Sequence, residues 1–225
     1  MTNFEQQRAR MVERQLQRRG ITDERVLAAM GAVPRELFVD ERLQRRAYAD
    51  SALPIADRQT ISQPWIVAAI AQGLELRGDE RVLEIGTGSG YSTAVVSRLA
   101  REVVSIERFE RLAREAWVRL ADLEIDNVEI RVGDGSRGAP DRAPFAAIAV
   151  HATAPAPPAT LLGQLERGGR LVAPIADRRA DQLTVFVRTA EQVDPESGEG
   201  LERRVIAPAR FVPLVGDEGF TDRGA

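Results

Sequence analysis

The stretch Arg81-Val82-Leu83-Glu84-Ile85-Gly86-Thr87-Gly88-Ser89-Gly90-Tyr91 constrains this chain more than any other: a short apolar run leads straight into three glycines spaced two apart. A buried strand that turns sharply into a helix while keeping its backbone open to a ligand needs residues without a Cβ, and Gly86, Gly88 and Gly90 supply them. The surface expected of them is a row of backbone N–H groups. A dinucleotide fingerprint is G-x-G-x-x-G; here the third glycine comes one position early and an acidic residue, Glu84, precedes the first.

The pattern around this loop is strand-helix alternation. Apolar runs at Arg81 to Ile85, Val103 to Ile106, Val128 to Val132, Phe145 to Val150 and Arg170 to Pro174 are separated by helical stretches at Tyr91 to Ala100, Phe109 to Leu123 and Pro158 to Leu165. Such alternation predicts an α/β fold: a doubly wound, Rossmann-like, mainly parallel sheet. Leu183 to Arg188 and Arg204 to Pro208 read as an antiparallel edge hairpin joined through 191–200.

Residues 1–76 read as a helical N-terminal extension. Helices are expected over 4–19, closed by Gly20, and from Asp23 to Pro34 with Thr22 or Asp23 as cap. A short helix follows at Leu37 to Gln44, then an irregular loop, then a helix over Trp65 to Leu74 with Pro64 in its first turn. The 225 residues read as one domain, with 77–216 as the core and 217–225 as a frayed tail.

Three strand ends converge on one nucleoside. Glu107 closes the second strand, where a carboxylate would accept both hydrogen bonds of a ribose diol, and Arg108 follows it. Asp134, in Gly133-Asp134-Gly135, closes the third and can accept from an adenine amine. The order E-x-G-x-G-x-G, with Glu107 and Asp134 behind it, resembles the first motif of class I S-adenosylmethionine methyltransferases. By that resemblance the cofactor is S-adenosylmethionine, and Glu84, Gly86, Thr87, Gly88, Gly90, Tyr91, Glu107, Arg108, Asp134 and Gly135 form its site.

Composition narrows the chemistry. Cysteine is absent and His151 is the one histidine, which excludes thiolate catalysis, argues against a His triad and leaves no metal expected. All 31 basic residues are arginine, so lysine Schiff bases are excluded too. A net charge of -3 argues against nucleic acid as partner. No run is apolar enough for a signal peptide or a membrane span, so a cytoplasmic protein is expected; it is expected to act as a monomer.

The segment Gln59-Thr60-Ile61-Ser62-Gln63-Pro64 is similar to the signature of protein-L-isoaspartate O-methyltransferases. The likeness extends through Val33-Pro34-Arg35, Leu53-Pro54-Ile55, Gly168-Gly169-Arg170-Leu171-Val172 and Phe211-Val212-Pro213-Leu214, and so covers nearly the whole chain. It implies methylation of the carboxylate of isoaspartyl residues in damaged proteins and peptides, leading through a succinimide back toward aspartate. It also implies Ser62 as the active-site serine and Thr60, Ile61, Gln63 and Val212 as substrate contacts. Phe211 to Leu214 could pair with an extended substrate strand. The alternative for Thr60 and Ser62 is capping of the helix behind Pro64.

This chain departs from the family at three places. Ala56-Asp57-Arg58 stands where the family has a Gly-x-Gly lead-in, Ala146 replaces an acidic residue, and His151 replaces a small or hydroxyl residue. His151 reads either as a satisfied loop histidine or as a substrate contact. Two other functions fit the same residues: a methyltransferase acting on a normal aspartate of one dedicated precursor peptide, or a non-catalytic S-adenosylmethionine-binding module.

Overall fold

The computed structural model describes residues 3–221. Helix α1 (Asn3–Met11) runs into a π-helical turn (Val12–Leu16) and a 3-10 turn (Gln17–Arg19), which Gly20 ends at φ 90°. Asp23 caps α2 (Glu24–Ala32) by accepting from the Arg25 and Val26 N–H groups. The single helix expected over Leu37 to Gln44 is instead two 3-10 segments, Arg35–Phe38 and Glu41–Arg46. Asp40 divides them: its backbone leaves the helical region and its carboxylate accepts from the Arg42 N–H. Two short strands, β1 (Leu53–Pro54) and β2 (Thr60–Ile61), then pair antiparallel ahead of α3 (Pro64–Leu74).

The main sheet follows. Its elements are β3 (Arg81–Ile85), α4 (Tyr91–Ser97), β4 (Glu102–Glu107), α5 (Glu110–Asp122), β5 (Val128–Val132), β6 (Phe145–Val150), α6 (Ala159–Gly163), β7 (Leu165–Ile175), β8 (Asp181–Arg188) and β9 (Leu201–Ala209). The spatial order is β5-β4-β3-β6-β7-β8-β9, parallel through β7 and antiparallel at β8 and β9. This is the doubly wound sheet with an edge hairpin that the sequence predicts. Strand β7 begins at Leu165 rather than Arg170 because Leu165 pairs with Phe145 across a register shift, a tertiary contact that leaves no periodic trace.

The alternation of side chains divides the core into two faces. Val82, Val103, Ala147, Ala149 and Val172 face α3, α4 and the N-terminal helices. Leu83, Ile85, Val104, Ile106, Ile148 and Val150 pack instead with Leu161 and Leu162 of α6 and with Leu214. Both faces of a parallel sheet are thus covered, and the ligand-bearing edge lies at the carboxyl ends of its strands, where β3 sits between β4 and β6.

The frayed tail expected from residue 217 is corrected for the part described. The Asp217 N–H donates to Asp134 Oδ2 at 2.8 Å, the Glu218 N–H donates to Ser136 Oγ, and Arg137 pairs with Asp217. Residues 222–225 lie outside the described residues.

At the turn into α4, Gly90 has φ 89°, and a Cβ there would lie 3.1 Å from the Ala116 Cβ on α5. Gly90→Ala is therefore expected to destabilise the fold by about 1–3 kcal/mol, from the left-handed backbone and overpacking together. Urea unfolding would show this as a lower midpoint at an unchanged slope.

Candidate active site

The glycine loop adopts the conformation for which its residues are suited: Gly86, Gly88 and Gly90 have φ of 92°, 56° and 89°. Their N–H groups do not form the expected open row, however. Gly86 N–H donates to the Ile106 carbonyl, Gly90 N–H to the Thr87 carbonyl, and Gly88 N–H to Glu107 Oε2 at 2.8 Å. The glycines shape the wall, and the protein itself uses their donors.

Glu107 holds that wall from the end of β4. Its Oε1 accepts from the Phe109 N–H at 3.0 Å while Oε2 holds Gly88, and each oxygen keeps a further lone pair. The side chain is almost fully buried. Burial raises its pKa above the ordinary carboxylate value, against the opposing pull of the N–H groups of Gly88 and Phe109.

A cleft of about 790 Å³, open solvent at its mouth included, lies over this edge. Gly86, Thr87, Gly88, Glu107 and Arg108 line one wall, and Gly135 and Tyr91 also reach it. Gly135 lets the chain pass close: a Cβ there would sit 2.5 Å from the Ile85 side chain. Tyr91 is buried behind the loop, edge-on to Phe38 and beneath the Arg35 guanidinium, and burial raises its phenol to about 12.

Three residues assigned to the cofactor by sequence lie elsewhere. Glu84 alternates with Val82 and so falls on the α4 face, fully buried, where its Oε2 accepts from Thr93 Oγ1 and Ser105 Oγ. Gly90 packs against α5, away from the cleft. Asp134 sits outside the lining, with Oδ1 accepting from the N–H and Oγ of Ser136 and Oδ2 from the Asp217 N–H. Asp134 therefore ties down the C-terminal segment from outside the cleft lining.

The substrate segment forms the opposite wall. Thr60, Ile61 and Ser62 line the same cleft. The capping alternative is overturned: Gln63 is the residue that enters α3, without a side-chain cap. Among the described residues, neither the Thr60 nor the Ser62 hydroxyl forms a hydrogen bond, so both are uncommitted donors. The Ser62 carbonyl is pinned by buried Arg35, whose Nη2 donates to it at 2.6 Å while Nε donates to the Ala47 carbonyl at 2.7 Å. Arg35 thus couples this segment to Tyr91 and the glycine loop.

Ahead of this segment, Asp57 and Arg58 have φ of 53° and 57°. Arg58, at the second glycine position of the Gly-x-Gly lead-in, thus holds glycine-like backbone with an ordinary side chain, and so does Asp57 between the two glycine positions, at a cost of about 1–2 kcal/mol for each.

A second cavity adjoins the first. Gln63, Ile66, Arg210 and Phe211 line it, and Thr60, Ser62, His151 and Val212 line both. The Val212 carbonyl accepts from the Thr153 N–H at 2.8 Å, which fixes the C-terminal segment across this junction. His151 is the residue that periodicity could not assign. It follows β6, and its buried ring sits between Ser92 and Glu84.

Residues 6–219 match the model of the family described as Protein-L-isoaspartate(D-aspartate) O-methyltransferase (PCMT). The chain belongs to that family. A protein-L-isoaspartate O-methyltransferase of Syntrophobacter fumaroxidans is 52% identical over 221 residues, 98% of this chain and 99% of the relative. A solved protein-L-isoaspartate O-methyltransferase superposes with a TM-score of 0.81 at 29% identity, covering 94% of this chain and 67% of that one. A Plasmodium falciparum structure in complex with S-adenosyl-L-homocysteine shares the fold, with a TM-score of 0.78 at 24% identity over 96% and 99% of the two chains. The isoaspartate methyltransferase family thus accounts for the fold from the N-terminal helices to the tied C-terminal segment.

Asp134 supplies a test of that tie. Burial pushes its pKa up, but the N–H of Asp217 and the Ser136 donors outweigh burial and hold it below its ordinary 3.8. A lowered carboxylate pKa stabilises the tie above the ordinary value, and the tie weakens as pH falls below it. Asp134→Ala is expected to speed hydrogen exchange at the Asp217 amide by about tenfold or more, with acid reproducing the effect in the native chain.

Proposed function

We propose that the chain transfers the methyl group of S-adenosylmethionine to the free carboxylate of an L-isoaspartyl residue in a damaged protein or peptide. The observation that carries this reading is the junction of two cavities at Thr60, Ser62, His151 and Val212, where two hydroxyls stand uncommitted.

The residues fit the cofactor. Glu107 keeps acceptor capacity for the two donors of a ribose diol, and the glycine loop allows close approach, with Thr87, Arg108, Tyr91 and Gly135 completing the wall. When bound, S-adenosylmethionine supplies a sulfonium-activated methyl group.

The substrate carboxylate, with a pKa of about 4, is ionised at neutral pH and needs no general base, which suits a site without lysine or cysteine. An oxygen–methyl bond forms as the sulfur–methyl bond breaks, and the negative and positive charges cancel. Alignment and exclusion of water therefore matter more than proton transfer. Ser62 and Thr60 orient the carboxylate by donating to it, Ile61 and Gln63 line its approach, and Val212 flanks the peptide. The resulting ester is the activated form from which a succinimide closes on the way to aspartate. We place this reaction in the cytoplasm and assign it to a monomer. No helix among the described residues is long and apolar enough to cross a membrane.

Methyl-labelled S-adenosylmethionine and paired peptides differing only in isoaspartyl or aspartyl linkage test the reading. Label is expected on the isoaspartyl peptide alone. Label on the aspartyl peptide alone would favour a dedicated precursor, and label on neither would contradict catalysis. Ser62→Ala is expected to lower kcat/KM for the isoaspartyl peptide by about 10- to 100-fold, the value of a hydrogen bond to a charged group, with S-adenosylhomocysteine affinity unchanged.

A further inference from the structure

The buried group that the mechanism has not used is the His151–Glu84 pair. Glu84 is fully buried in β3, and its Oε1 has no hydrogen-bond partner among the described residues. That oxygen lies 3.2 Å from His151 Nε2, at ion-pair distance but off the hydrogen-bonding angle, and the same nitrogen lies 2.9 Å from Ser92 Oγ. A lone buried carboxylate oxygen is costly, and a cationic neighbour is the group that relieves it. With Nε2 engaged, Nδ1 has no partner among the described residues, and the ring lines both cavities beside Thr60 and Ser62.

We propose that His151 is a substrate-binding residue of the methyl transfer: an imidazolium whose Nε2 side is held by Glu84 and Ser92 and whose Nδ1–H donates to the isoaspartyl carboxylate. A neutral ring protonated on Nε2 would present a lone pair to that anion, and one protonated on Nδ1 would present a lone pair to Glu84 Oε1, so a ring set between the two carboxylates carries both protons. The inference rests on the isoaspartyl reading of the same cavity. It gives the substrate anion a positively charged partner, and product release follows once methylation has removed the negative charge. Glu84 from β3 contacts the ring, and the charged residues that line the two cavities with it are Glu107 and Arg108 from the end of β4 and Arg210 beyond β9, while Ser92 of α4 does not titrate.

Because the chain has one histidine, its imidazole nitrogen resonances are unambiguous. With S-adenosylhomocysteine present, saturation by an isoaspartyl peptide is expected to move Nδ1 to the position of a protonated, hydrogen-bonded nitrogen. An isoasparaginyl peptide, uncharged at that site, should not produce that displacement. His151→Thr should raise the isoaspartyl-peptide KM at least tenfold while the S-adenosylhomocysteine Kd changes less than twofold. Unchanged imidazole resonances in a peptide-saturated protein that still methylates would overturn the inference and leave the function standing. Failure of the native protein to methylate the isoaspartyl peptide would overturn both.

Discussion

The hydrogen bond from the Gly88 N–H to the Glu107 carboxylate is the contact on which the site depends. It joins the turn after β3 to the end of β4, two neighbouring strands of the sheet, and so fixes the loop's position relative to the strand whose acid faces the cleft. The left-handed glycines make the turn possible, and Glu107 selects one conformation of it. Burial raises the pKa of this carboxylate, so the fold meets a cost to keep the group where a diol could reach it.

Around that contact the chain builds two walls from distant sequence. Arg35, in the N-terminal extension, pins the carbonyls of Ala47 and Ser62 and stacks on Tyr91, so the substrate segment and the glycine loop share one support. The C-terminal segment is held from the other side, by Thr153 at Val212 and by Asp134 at Asp217. Between these supports stand the uncommitted hydroxyls of Thr60 and Ser62 and the ring of His151, a polar seam between two cavities.

Much of this was legible in the sequence for physical reasons. Alternating β-branched runs and amphipathic stretches specify a parallel sheet, and three glycines after a strand specify a left-handed turn. Other residues lie off the cleft lining where sequence position and side-chain direction part. The position of Glu84 is readable from alternation, since it shares with Val82 the face under α4. That of Asp134 is not, because its partner Asp217 lies far along the chain and binds through a backbone N–H. The loop at Asp57 and Arg58 gave no glycine signal at all, yet both residues hold positive φ. His151 has no periodic context, and only the packed sheet shows that it bridges buried Glu84 to the seam.

The most direct measurement is a structure of the protein with S-adenosylhomocysteine and an isoaspartyl peptide bound together. The account predicts that the cofactor's ribose lies against Glu107 and that the thioether sulfur and the peptide carboxylate meet across the seam of Thr60, Ser62, His151 and Val212. A carboxylate seated away from that seam, or a ribose with no contact to Glu107, would contradict it.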